Sequence, residues 1–171
     1  MIIATWNVNS IKVRLHAVLQ YLSEESPDVL VLQETKSIDD NFPLEAFTDI
    51  GYHVIFCGQK TYNGVAIISV LPAEDIHYNP VKTNENEMRS ISAVYAGIRI
   101  VNLYVVNGQN VDTPKYDYKI KWLKKLLAYS KKELSLNQNM LLLGDFNIAP
   151  TDDDVFDADV TKDEILCSDK E

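Results

Sequence analysis

Three apolar runs in this 171-residue chain end in side chains that suit a hard cation. Residues 1–6 run into Asn7, residues 28–32 into Gln33 and Glu34, and residues 140–143 into Gly144, Asp145, Phe146 and Asn147. A buried carboxylate without a partner is costly, so strands that end in carboxylates and amides can gather them at one sheet edge. Such an edge is a natural Mg²⁺ site, because Mg²⁺ takes one or two protein oxygens and keeps its other positions for water and phosphate. Glu34 is the best ligand candidate, with Asn7 beside it. Asp145 is placed to orient or deprotonate a water for attack on phosphorus. Asn147 lies two positions on and faces the same side of an extended segment. Its amide would donate to the phosphate or position the aspartate. Gly144 would let backbones approach closely. Singly, each of these residues is also an ordinary turn former; the three endings together are what point to chemistry.

The elements that must position them alternate strand and helix. Residues 1–6 read as a buried strand. Asn9 or Ser10 can cap a helix through about residue 22, with Ile11, Leu15, Val18 and Leu22 on one face. Residues 28–33 form the next strand, 43–47 a short helix, and 52–57 and 65–71 two more strands with a turn at Asn63-Gly64. Residues 90–95 and 98–106 look like a hairpin across Ala96-Gly97. A lysine-rich helix spans 114–134, and 140–143 is the strand that leads to Asp145. The pattern predicts an α/β domain cored by sheets, mixed rather than purely parallel because of the hairpins. Residues 1–171 fit one domain. Ser168 and Glu171 have the spacing of a helix-opening capping box with no helix after them, which predicts a chain that stops inside its domain.

The apolar share is 46% and the charged share 24%, ordinary for a globular protein. No apolar run is long enough to span a membrane. Two cysteines make neither a disulfide framework nor a zinc pattern, and read as reduced thiols of a cytoplasmic protein. The net charge of −9 argues at first against nucleic acid. The excess is local: residues 145–171 hold ten acids and two lysines, while the other 144 residues are close to neutral.

The segments Thr5-Trp6-Asn7-Val8-Asn9, Leu32-Gln33-Glu34-Thr35-Lys36, Asn63-Gly64-Val65-Ala66-Ile67 and Gly144-Asp145-Phe146-Asn147-Ile148-Ala149-Pro150 resemble the exonuclease III family of DNA-repair nucleases. That family lies within the endonuclease/exonuclease/phosphatase superfamily. The resemblance runs along essentially the whole chain. It implies a four-layer fold, two mixed sheets packed as a sandwich and flanked by helices. It implies a phosphodiesterase that incises duplex DNA at abasic sites and degrades or trims 3′ ends, with Mg²⁺ or Mn²⁺. Carried over by residue, it puts Glu34 and Asn7 at the metal, Asp145 and Asn147 at the attacking water and phosphate, and Tyr104 at the scissile phosphate. It suggests DNA contacts at Arg89, at Lys36 and at Lys119, the last on a helix whose lysines would supply salt-sensitive phosphate affinity.

The chain departs from that family in one respect. The family carries a further aspartate and an essential histidine near its C-terminus, and nothing here matches them. His16, His53 and His77 lack that context and read as structural. Losing one preorganised group typically costs on the order of 10²–10³ in rate. Uncovered sheet edges would favour self-association. Two alternatives follow: a fragment that only binds metal and DNA, or another superfamily branch acting on RNA, phospholipid or inositol phosphate. Val106 stands where many relatives carry proline.

Overall fold

A computed structural model describes residues 1–83, 85–136 and 139–171. Its elements in order are β1 (Ile3–Asn7), α1 (Ile11–Glu25), β2 (Val29–Gln33), α2 (Leu44–Thr48), β3 (His53–Cys57) and β4 (Val65–Ser69). They continue as β5 (Glu74–Tyr78), β6 (Ser90–Tyr95), β7 (Ile98–Tyr104), α3 (Pro114–Leu136), β8 (Met140–Asp145) and α4 (Ala158–Thr161). One sheet has the order β1-β2-β4-β3 and the other β5-β6-β7-β8. Both are mixed: β1 runs parallel to β2 and β7 parallel to β8, while the remaining neighbours are antiparallel.

The two-residue period of a strand sorts the core into layers. Along β2, Leu30 and Leu32 face α1 with Ile11, Val18 and Leu22, whereas Val29 and Val31, beside Ile67 of β4, face Ile91 and Ile100 of the second sheet. Along β7, Val101 and Leu103 face Trp122 and Leu126 of α3. The layers are therefore helix, sheet, sheet, helix, as the resemblance implied. No helix among the described residues is long and apolar enough to cross a membrane.

Three local expectations changed. Ser10 does precede α1, but its hydroxyl makes no cap bond. The first helical N–H groups are satisfied instead by the loop after β2, Ser10 N–H to Glu34 O at 2.8 Å and Ile11 N–H to Thr35 O at 3.0 Å. The helix then runs on to Glu25, where Ser26 turns left-handed and its N–H closes on Leu22 O. Strand β5 was not anticipated, because Glu-Asp-Ile-His-Tyr is polar and its pairing with β6 slips between Glu74 and His77.

Candidate active site

The two parallel pairs, β1/β2 and β7/β8, end at the same edge of the sandwich. Asn7 is in register with Gln33, and Tyr104 with Asp145. Strand β1 lies against β8, and β2 against both β7 and β8. Carboxyl ends of parallel strands are where open α/β sheets usually hold ligands. A buried polar crossing fixes the two sheets just beneath. The Gln33 amide donates to Asn102 Oδ1 at 2.8 Å, and Asn102 donates to the carbonyls of Leu32 and Ala66, both at 2.9 Å.

Above that crossing, Asn7 bridges the sheets. Its Nδ2 lies 2.8 Å from Glu34 Oε1 and 2.8 Å from Asp145 Oδ2. Its Oδ1 accepts the N–H of Asn9 at 3.1 Å. In this geometry the Asn7 amide stands between two carboxylates, Glu34 and Asp145. The other Glu34 oxygen pairs with Lys36 at 2.9 Å, and Lys36 also donates to Asn9 Oδ1. Burial alone would raise the Glu34 carboxyl. Hydrogen bonds from Asn7, Lys36 and Tyr104, with the Lys36 charge, outweigh burial and hold it below its ordinary value. Tyr104 is pushed up to about 12 by burial and by the charge of Glu34, so its hydroxyl remains a donor.

Asp145 Oδ1 accepts the backbone N–H of Asn147 at 3.1 Å. The Asn147 side chain is engaged elsewhere, donating to Val105 O at 3.0 Å and accepting from Asn107 at 3.1 Å. Asn147 therefore positions the aspartate through its backbone. Gly144 does admit a close backbone: at φ +135, a Cβ there would sit 2.0 Å from Leu103 O of the neighbouring strand. Glu34, Lys36, Asn9 and Asn147 all have positive φ. Left-handed backbone at non-glycine residues costs free energy and concentrates at functional sites.

Two expected DNA contacts sit differently. Lys119 is 0% exposed, and its ammonium donates to Asn147 O at 2.6 Å and pairs with Glu171. It lies on the buried stripe of α3 with Tyr116, Trp122 and Leu126, at helical spacing. The exposed lysines of α3 are Lys115, Lys121, Lys124, Lys125, Lys131 and Lys132. Arg89 is also largely buried, ion-paired to Glu87 at 2.6 Å with its Cζ 4.7 Å above the Tyr104 ring. His16 and His53 lie exposed on α1 and β3, and His77 on β5 contacts Asp75, Glu133 and Tyr129. Residues the sequence reading missed are Asn102, Asn107 and Glu87. Only Asn102 left a clear signal, as an amide in the middle of an apolar strand, where a buried polar group needs partners.

The strand ends of two facing sheets thus bring carboxylates and amides together across an α/β sandwich. The chain belongs to the endonuclease/exonuclease/phosphatase family, whose model matches residues 4–164. It is 30% identical over 157 residues to an exodeoxyribonuclease III of Haemophilus influenzae, covering 88% of this chain and 59% of that protein. It is 29% identical over 176 residues to an exodeoxyribonuclease of Bacillus subtilis, covering 100% of this chain and 68% of that one. A Neisseria 3′ phosphatase solved with a product DNA hairpin superposes at a TM-score of 0.96 with 43% identity, over 99% of this chain and 66% of its own. An Archaeoglobus fulgidus AP endonuclease superposes at 0.91 with 42% identity, over 98% and 65%. The chain thus spans about three fifths of the Haemophilus protein and about two thirds of these two structures.

Proposed function

We propose that this chain carries the metal-binding and water-activating part of a DNA-repair phosphodiesterase that incises at abasic sites and trims 3′ ends. The observation that supports this most is the convergence of Glu34, Asn7, Asp145 and Tyr104 from four strands of two sheets. The exodeoxyribonuclease and AP endonuclease relatives support DNA as substrate.

The donor set favours Mg²⁺, with Mn²⁺ as a substitute. Among the described residues, no group of three or more His, Cys, Asp and Glu converges to hold a metal. That disfavours zinc, which needs three or four protein ligands. Two partly open carboxylates suit Mg²⁺, which is commonly held by one or two and keeps several waters. Glu34 would hold the ion, with Asp145 facing it across Asn7. Once bound, the ion would offset the charge of the phosphate oxygens. Asp145, oriented by the Asn147 N–H and the Asn7 amide, would take a proton from the attacking water. Tyr104 would donate its hydroxyl to a phosphate oxygen. Lys36 beside Glu34, and Arg89 through the N–H groups Glu87 leaves free, would meet DNA phosphates.

The two free cysteines fit a reducing compartment such as the cytoplasm. The flank where edge strands β1 and β8 meet exposes Met1, Ile2 and Leu141, and is the surface for self-association. A sedimentation profile that stays monomeric at high concentration would remove that inference.

The deciding experiment is incision of a duplex oligonucleotide bearing one abasic site, with Mg²⁺ and with EDTA, beside the Asp145→Ala variant. Metal-dependent cutting lost in the variant supports the reading. Cutting no faster than the variant, with DNA binding intact, favours a binding fragment. Cutting of RNA or lipid phosphodiesters instead points to another branch of the family.

A further inference from the structure

Outside the residues already assigned, the carboxylate with the most specific surroundings is Glu87. It lies two positions before Arg89, so in an extended segment both side chains leave on one side. Arg89 Nε donates to Glu87 Oε2 at 2.6 Å and Nη2 to Oε1 at 3.4 Å. A two-point grip of this kind fixes the plane of a guanidinium, which a lysine would not offer. In that plane Cζ stands 4.7 Å over the Tyr104 ring and Nη1 lies 3.4 Å from the Tyr104 carbonyl. Tyr104 in turn hydrogen-bonds Glu34.

Glu87 is itself anchored from several elements. The Tyr118 hydroxyl of α3 donates to its Oε2 at 2.9 Å, and Thr83 meets that hydroxyl at 2.8 Å. The Asn79 amide holds its backbone carbonyl at 3.0 Å. The side chain of Asn63 also bonds it, and the Asn63 carbonyl accepts the N–H of Lys36 at 2.9 Å. Burial would raise the Glu87 carboxyl, but the Arg89 hydrogen bond and charge, with Tyr118 and Asn63, keep it below the usual range and ionised at neutral pH. Arg89 has five N–H donors. Glu87 and the Tyr104 carbonyl take three of them, which leaves two for an incoming oxyanion.

We propose that Glu87 is a positioning residue, holding the Arg89 guanidinium over the Tyr104 ring so that both present donors to one phosphate. The proposal rests on the phosphodiesterase reading above. Without the grip, Arg89 regains its rotamers and swings into the adjoining cleft of about 480 Å³ between Glu85, Asn107 and Tyr118.

The test is a double-mutant cycle on the full chain with Glu87→Ala, Arg89→Ala and the pair, measuring kcat and KM on abasic duplex and thermal midpoints. Glu87→Ala should lower kcat about tenfold, the low end for residues that orient a working group. It should cost nothing further in the Arg89→Ala background, and Glu87→Gln should recover part of the loss. Equal losses in both backgrounds, tracking a fall in melting temperature, would overturn the proposal in favour of a purely structural role. A second readout needs no activity: the Arg89 Nε–H signal in NMR should exchange slowly in the parent and fast in Glu87→Ala. An unchanged signal overturns the proposal. If the parent cuts no substrate, the phosphodiesterase reading fails, and this signal alone decides whether Glu87 holds Arg89.

Discussion

Two charged clusters sit on this sandwich, and they differ in how far they are buried. At the strand ends, Glu34 and Asp145 lean on one amide, Asn7, and Lys36 is the cation paired with Glu34. On the outer face of the second sheet, Arg99 of β7 is 1% exposed. Its Nε lies 3.2 Å from Glu133 of α3, its Nη1 donates to Asp75 O at 2.7 Å, and its Nη2 pairs with the Asp75 carboxylate. His77 closes the cluster 3.4 Å from Asp75 and 3.8 Å from Glu133, with Tyr129 linking it to Ser92. The outer cluster places a cation between its carboxylates and keeps Arg99 and Glu133 buried as a pair. The strand-end cluster leaves two carboxylates near each other, partly open, on backbone held in the left-handed region at Glu34 and Lys36. Each cluster sets two carboxylates against one fixed cation; the outer one buries its Arg99–Glu133 pair, whereas the strand-end one is partly open and, on the proposed reading, can admit a cation from outside.

That contrast is broken most sharply by separating activity from stability. Asp145→Ala should cut cleavage of abasic duplex by about 10²–10⁴-fold, the usual range for removing a general base. Its melting temperature should barely change or rise, because a like-charge neighbour has gone. A steep loss of stability in that variant would place Asp145 with the structural cluster. Arg99→Met should do the reverse. Removing one partner of a buried ion pair costs about 3–5 kcal/mol. Denaturant unfolding would read that loss, while Mg²⁺ affinity of the folded protein, by calorimetry, should stay within twofold. Replacing Glu133 by Leu in the same chain should recover most of the stability, since a buried pair exchanged for apolar side chains is often neutral. Failure to recover would mean that the pair does more than satisfy itself.

The difference between the clusters also explains what could be read before the structure. The strand-end residues were legible because apolar runs that stop at a carboxylate or amide are visible in one dimension: Asn7, Glu34 and Asp145 all end such runs. The layer order was legible through the resemblance and the alternation along β2 and β7. Partnerships across the fold were not. Lys119 was expected to contact DNA, although its spacing of three from Trp122 puts it on the buried stripe of α3. Arg89 looked like a free cation, because nothing in the sequence shows that Glu87 grips it. Arg99, Glu133 and His77 lie on three separate elements, and only the packing of α3 on the sheet brings them together.

Acid titration offers the finest comparison, because each cluster contains a carboxylate held below its ordinary range. For Glu34, burial pushes upward and the Asn7, Lys36 and Tyr104 hydrogen bonds with the Lys36 charge pull further down; for Asp75, the Arg99 hydrogen bond and charge lead. A depressed carboxyl stabilises the fold above its unfolded value and loses that contribution as pH falls through the folded one. Both groups should therefore titrate below their ordinary values of 4.5 for Glu34 and 3.8 for Asp75, and their stabilisation should be lost as pH falls from the unfolded value through the lowered folded one. Mg²⁺ distinguishes the two. A cation at the strand ends favours the charged form of Glu34 and must compete with protons there, so saturating Mg²⁺ should move the Glu34 midpoint further down in a carbon-detected NMR titration. Asp75 already has its cation in Arg99, and its midpoint should not move. Equal displacement of both would mean that Mg²⁺ acts as general ionic strength, and the strand-end cluster would lose its claim to be a metal site.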